Sequence, residues 1–172
     1  MTVECLVVMG VSGSGKSTIA GLLSERLGWP MAEGDDFHPE SNVAKMRAGE
    51  ALSDQDRLPW LESLRAWIRG RADAGESTVV TCSALKHSYR DVLRAPDPSE
   101  PKIHFIHLHG SEEVIAERLA HRKGHFMPPA LLRSQLAALE PLTPGEHGLL
   151  VDIREHPEQI VEEIIDELGL EK

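Results

Sequence analysis

The sequence offers little that would tie it to a membrane, a nucleic acid or an oxidising compartment. No apolar run approaches the roughly 20 residues that a bilayer span needs. The opening stretch MTVECLVVMG lacks the basic start and small-residue cleavage pattern of a secretory signal, so the expected compartment is the cytoplasm. Basic charge is also scarce: 18 Lys and Arg stand against 28 Asp and Glu, a formal net charge of -10. A nucleic-acid or anionic-membrane partner needs a basic footprint, so neither is expected. An anionic small molecule is still admissible, provided that locally clustered cations capture it. Only two cysteines are present, Cys5 and Cys82, each inside an apolar run. That placement reads as two small core residues rather than a disulfide or a metal site. There is no low-complexity tract and no internal repeat, and 172 residues of 41% hydrophobic content read as one globular domain spanning 1–172.

What is there is an alternation of short β-rich runs with longer segments of helical period, the pattern of an α/β protein with a parallel sheet. Five strands are predicted: Val3 to Met9, a short one ending near Gly34, Thr78 to Cys82, Ile103 to Leu108, and Gly148 to Ile153. Three of them are nearly continuous in apolar or β-branched residues, as expected when helices cover both faces of a sheet. Between them, Ile19, Leu22, Leu23 and Leu27 form one helical stripe, and Trp60, Leu61, Leu64, Trp67 and Ile68 another. A third stripe, Ile160, Val161, Ile164, Ile165 and Leu168, runs into Gly169 as a stop signal. The proline-rich stretch from Arg94 to Lys102 reads as a surface loop.

Residues 10–17 read GVSGSGKS, a complete Walker A pattern, with an apolar strand before it and an amphipathic helix after it. A triphosphate needs many N–H donors close together and no side chains in the way. Gly10, Gly13 and Gly15 permit that approach, and the backbone of Val11, Ser12, Ser14 and Thr18 completes a nest at the positive end of a helix. Lys16 is expected to reach the β- and γ-phosphates of ATP, and the Ser17 hydroxyl to ligate Mg²⁺. No Asn-Lys-x-Asp sequence of the kind that reads guanine occurs, which disfavours a GTPase.

Four further stretches carry a more specific resemblance: GDDFHP at 34–39, NVAKMRAGEALSDQDRLPWL at 42–61, CSALKHSYRDVLR at 82–94 and RKGHFMPPALLRSQLAALEP at 122–141. In this order they resemble the gluconokinase family, and with the P-loop the match covers most of the chain. The resemblance implies a P-loop kinase fold, a five-stranded parallel sheet flanked by helices, with a mobile lid at about 118–138. It implies transfer of the γ-phosphoryl group of ATP to the 6-hydroxyl of D-gluconate. It also points to a homodimer, the state to which that family tends.

On this resemblance, Asp36 is the carboxylate that orients the 6-hydroxyl and Asp35 stands near the Mg²⁺. The ordinary alternative is that one of the pair only caps the helix beginning near Pro39. Gluconate carries one carboxylate and a row of hydroxyls, so a planar cation and several neutral donors are sought. His38, Lys45, Arg47, Arg57, Ser83, Lys86, Arg90 and His125 are the candidates, with Arg57 or Arg90 as the carboxylate clamp and solvated surface charge as the competing reading for any single cation. Arg118 and Arg122, four apart on one helix face, resemble lid arginines that close over the transferring phosphoryl group. His107 and His109 share a strand face, and His121 and His125 are four apart, but no third ligand is placed, so no metal site is assigned to them. Two rivals remain: another small-molecule kinase on the same scaffold, of shikimate or nucleoside monophosphate type, and a module that binds ATP without turning it over.

Overall fold

A computed structural model of the chain describes residues 3–11, 13–50, 52–94, 101–120, 129–146 and 148–170. In chain order the elements are β1 (Glu4–Met9), α1 (Lys16–Leu27), β2 (Met31–Glu33), α2 (Glu40–Arg47), α3 (Asp54–Asp73), β3 (Thr78–Thr81), α4 (His87–Arg94), β4 (Lys102–His109), α5 (Glu112–Ala120), α6 (Pro129–Ala138), β5 (Gly148–Asp152) and α7 (Pro157–Leu168). Single 3₁₀ turns occupy Gly34–Phe37 and Pro144–Glu146. The five strands form one sheet in the order β2-β3-β1-β4-β5, parallel at every pairing. Each predicted strand is present, within about one residue of its expected limits. The loop predicted after Arg94 falls mostly on 95–100, outside the described residues.

The near-continuous apolar character of β1 follows from its position between β3 and β4, with no edge in water. Its side chains alternate between two layers. Leu6 and Val8 pack with Ile19, Leu23, Ile160 and Ile164 of α1 and α7, whereas Cys5, Val7 and Met9 pack with Trp60, Leu64, Ile68 and Leu93 of α3 and α4. The three predicted stripes are therefore the faces that bury, each large side chain worth about 1.5–3 kcal/mol over leaving it in water. Both cysteines are buried free thiols, as read from the sequence, and burial pushes each up to about 12. Gly169 closes α7 in the left-handed conformation, as the stop signal indicated.

Two local devices place the site at the carboxyl ends of these strands. Ser53 caps α3 by accepting from Asp56 N, while Asp56 Oδ2 accepts from Ser53 N, so both bonds of a capping box are made. Gly34 follows β2 so closely against β3 that a Cβ there would lie 2.1 Å from the Thr81 carbonyl oxygen, which only glycine tolerates. The Gly34 carbonyl in turn accepts from Trp60 Nε1 at 2.7 Å. The turn carrying Asp35 and Asp36 is thus fixed to both β3 and α3.

Candidate active site

Between β1 and α1 the backbone turns through Gly10, Gly13 and Gly15, with φ of 145°, 85° and 96°. An L side chain is strained in this conformation, and at Gly10 it would also meet Ser14 Oγ at 2.8 Å and the Leu108 carbonyl at 2.9 Å. Because α1 starts at Lys16, with its first helical bond from Ile19 N to Gly15 O, the amides of its opening turn have no helical partner and face the loop. Ser14 is buried and braces the turn by donating to Val11 O. The Lys16 ammonium lies over the loop, donating to Gly10 O at 3.0 Å and Val11 O at 3.2 Å. This concave set of N–H groups with an ammonium over it fits a polyphosphate. Ser12 lies outside the described residues.

On the acidic side of the crevice, a carboxylate outside the expected set stands beside Ser17. Ser17 Oγ, the expected Mg²⁺ ligand, donates to Glu33 Oε1 at 3.0 Å, and Thr81 Oγ1 donates to the same oxygen at 2.7 Å. Glu33 was not among the candidates. Its carboxylate, at the end of β2, is the one beside Ser17, where Asp35 had been expected. Asp35 lies instead on the side of His38, its Oδ1 3.9 Å from His38 Nε2. Asp35 and Asp36 are both exposed, and neither side chain makes a hydrogen bond among the described residues. Neither aspartate caps α2, whose N-cap is Pro39 with no side-chain bond.

His38 has one tautomer. The Asn42 amide nitrogen donates to the Asp56 carbonyl, an obligate acceptor, and the same nitrogen lies 3.2 Å from His38 Nδ1. Nδ1 therefore accepts, and the proton of the neutral ring sits on Nε2, towards Asp35. Burial lowers the His38 pKa, with Asp35 opposing and Arg57 assisting, so the ring is neutral at pH 7. Its stacking on Trp60, at 4.2 Å between centroids, holds it there.

Of the expected cations, the structure brings some to this crevice and withdraws others. Arg57, in the first turns of α3, donates through Nη1 to Leu52 O and to the Tyr89 hydroxyl, both at 3.0 Å. Lys86 Nζ pairs with Asp54 at 3.1 Å, close to the same tyrosine. The segment Cys82–Lys86 after β3 runs from the strand that feeds the P-loop, where Cys82 N donates to Val8 O at 3.1 Å, to these cations, and forms the floor between them. Ser83 joins that floor to the P-loop by accepting from Gly10 N at 3.3 Å. Lys45 is spent on Asp56 of the α3 cap at 2.9 Å, and Arg47 is exposed at the end of α2.

Arg90 is a correction: it is 0% exposed and does not reach the crevice. Nε donates to Glu146 Oε2 at 2.6 Å, Nη1 to Ala84 O at 2.8 Å and Nη2 to Glu140 O at 3.0 Å, so every nitrogen is engaged. It braces from behind the loop that carries Ser83 and Lys86, where Ala84 holds a left-handed φ of 46°. Of the two clamp candidates, only Arg57 keeps nitrogens without a hydrogen bond among the described residues.

A cleft of about 220 Å³ adjoins the P-loop, lined by Gly15, Thr18, Arg118, Ile153, Pro157 and Ile160 among others. Arg118 Nη2 donates to the Ile153 carbonyl, and Nη1 lies 3.7 Å from the place a Gly15 Cβ would take. The guanidinium therefore borders this cleft at the Gly15 end of the loop. Arg122 and His125 lie outside the described residues. A larger cleft of about 460 Å³, lined by Leu22, Glu25, Arg26, Glu158 and Val161, lies between α1 and α7 and shares no residue with the loop. Among the described residues no helix is long and apolar enough to cross a membrane.

A glycine-rich phosphate nest at the central strand of a parallel sheet, facing a carboxylate and cations across the strand ends, defines a P-loop kinase. A family model for an AAA domain matches residues 6–142. A gluconokinase of Gluconobacter oxydans is 49% identical over 93% of this chain and 88% of its own length. A solved structure of a gluconokinase from Sinorhizobium meliloti superposes with a TM-score of 0.86 at 45% identity, covering 96% of this chain and 91% of that one. An unliganded sugar kinase from Janibacter gives 0.90 at 51% identity, covering 98% and 95%. The chain belongs to the gluconokinase family.

Proposed function

We propose that the protein transfers the γ-phosphoryl group of ATP to the 6-hydroxyl of D-gluconate, giving 6-phospho-D-gluconate and ADP. The observation that carries this reading is the glycine-rich nest with Lys16 over it and Glu33 beside Ser17, in a chain that belongs to the gluconokinase family. The P-loop amides and Lys16 hold the phosphates, and the cleft beside Arg118 takes the adenine. Ser17 and Glu33 would hold Mg²⁺, which supplies neutralising charge to the phosphate oxygens. Asp35 accepts the proton of the 6-hydroxyl as its oxygen bonds to the γ-phosphorus and the bond to the bridging oxygen of ADP breaks. The neutral His38, with Nε2–H towards Asp35, donates to an acceptor hydroxyl. Arg57 takes the carboxylate at the far end of the chain of hydroxyls, so that the reactive end is held by distance as well as by contact.

A coupled assay with ATP and Mg²⁺ against a panel of gluconate, other sugar acids, shikimate and nucleoside monophosphates tests the assignment. Gluconate-dependent ADP release is expected, and Lys16→Ala is expected to reduce it by at least about a hundredfold, the scale of removing a main transition-state charge. Preference for a different acceptor would move the protein to another small-molecule kinase, and full activity in Lys16→Ala would remove the mechanism.

A further inference from the structure

Tyr89 is the single tyrosine of the chain, 4% exposed in the first turn of α4. Its ring has Arg57 Cζ 5.3 Å from the centroid and Lys86 Nζ 5.7 Å from it. The hydroxyl is bonded in a single possible sense. A guanidinium can only donate and an ionised carboxylate can only accept, so the phenol oxygen accepts from Arg57 Nη1 at 3.0 Å and its hydrogen goes to Asp54 Oδ1 at 2.6 Å. Asp54 is kept ionised by hydrogen bonds from Tyr89 and Lys86, which hold its carboxyl below the usual range. With Leu52 O taking the other Nη1 hydrogen, Nη1 is anchored on both sides. Nε and Nη2 make no hydrogen bond among the described residues, which leaves the fork-shaped edge of Arg57 open.

We propose that Tyr89 is a positioning residue for the acceptor's carboxylate: its hydroxyl sets the plane of the Arg57 guanidinium and turns the free edge into the pocket. The role rests on the reading of Arg57 as the clamp for an acid. Asp54 orients the hydroxyl, and by drawing Lys86 to the same oxygen it brings a second cation beside the first, so that the three charges sum to one positive charge facing an anion. A tie that merely joined α3 to α4 would carry no information about the acceptor, and its loss would lower stability and affect both substrates alike.

Tyr89→Phe keeps the ring and both cation contacts and deletes only the oxygen. In that variant the KM for gluconate is expected to rise about tenfold, the scale of one hydrogen bond to a charged group, with the KM for ATP within about twofold and kcat within about threefold of wild type. In an Arg57→Lys background, where no Nη1 exists to be oriented, the same change is expected to cost less than about threefold in gluconate KM, since two residues acting through one contact are not additive. Asp54→Ala, at an exposed position where folding is not at issue, is expected to raise the gluconate KM in the same selective way. An unchanged gluconate KM in Tyr89→Phe, a parallel rise for ATP, or an undiminished cost in the Arg57→Lys background overturns the role. If wild type prefers gluconate over glucose and glucitol while Tyr89→Phe behaves as wild type, only the role of Tyr89 fails; if wild type shows no such preference, the acid reading of Arg57 fails with it.

Discussion

One oxygen of Glu33 accepts from both Ser17 and Thr81, and on the proposed reading what that position offers a divalent cation is charge. Glu33→Gln separates charge from hydrogen bonding, because an amide oxygen can still accept from both hydroxyls. The Mg²⁺ concentration for half-maximal activity is expected to rise about 10–100-fold, as for groups that support a metal's ligands, while the gluconate KM moves less than about twofold; an unchanged Mg²⁺ titration would place the metal elsewhere. Glu33 was within reach of the sequence, since it stands two residues before Asp35 at the end of a predicted strand, but the adjacent aspartates drew the assignment. Tyr89 and Glu146 were out of reach. Their partners lie 35 and 56 residues away along the chain, and nothing local marks Arg90 as a buried brace rather than a ligand.

Among elements, the strands and the buried helix faces were legible because each is set by a local period that packing then rewards. The start of α3 was not, although the proposed acceptor side rests on it. Trp60 to Ile68 mark its buried face, but the helix begins earlier, at the Ser53–Asp56 capping box, and it tolerates Pro59 near its start. Arg57 sits in the turns this cap organises, and Lys45 reaches the same Asp56 from α2. Ser53→Ala is therefore expected to cost about 1 kcal/mol in urea unfolding, and to raise the gluconate KM at the same time because the Arg57 backbone loosens. A loss of stability with an unmoved gluconate KM would show that the cap supports the fold without serving the site.

At the scale of the molecule, the alternation of strands and helices indicated a parallel sheet, but the strand order β2-β3-β1-β4-β5 could not be read from periodicity, which marks strands without pairing them; pairing register supplies the order. That order places β4 inside the sheet and buries His107 to 5% exposure, with no hydrogen bond to Nδ1. Burial, then the neighbouring His109 and Arg90, lower its pKa from 6.5 to about 4. The unfolded chain therefore binds this proton more readily, so the contribution to stability is whole above about pH 6.5 and is lost as pH falls towards 4. Glu146 follows in a lower window. Burial would raise its carboxyl, but the hydrogen bonds from Arg90 and Thr143 N and the Arg90 charge outweigh that and bring it to about 2, so its contribution is present above about pH 4.5 and fails below. Acid unfolding is expected to proceed through these two ranges in turn. His107→Leu isolates the first: it removes the titrating ring and its orphaned nitrogen while keeping an apolar side chain in the core. Its stability relative to wild type should improve by about 2 kcal/mol on going from pH 8 to pH 5, the cost of withholding a proton from a group whose pKa is lowered that far. Melting curves of both proteins at the two pH values measure this directly. Curves that shift in parallel would mean that the acid sensitivity lies with surface carboxylates instead of the inner strand.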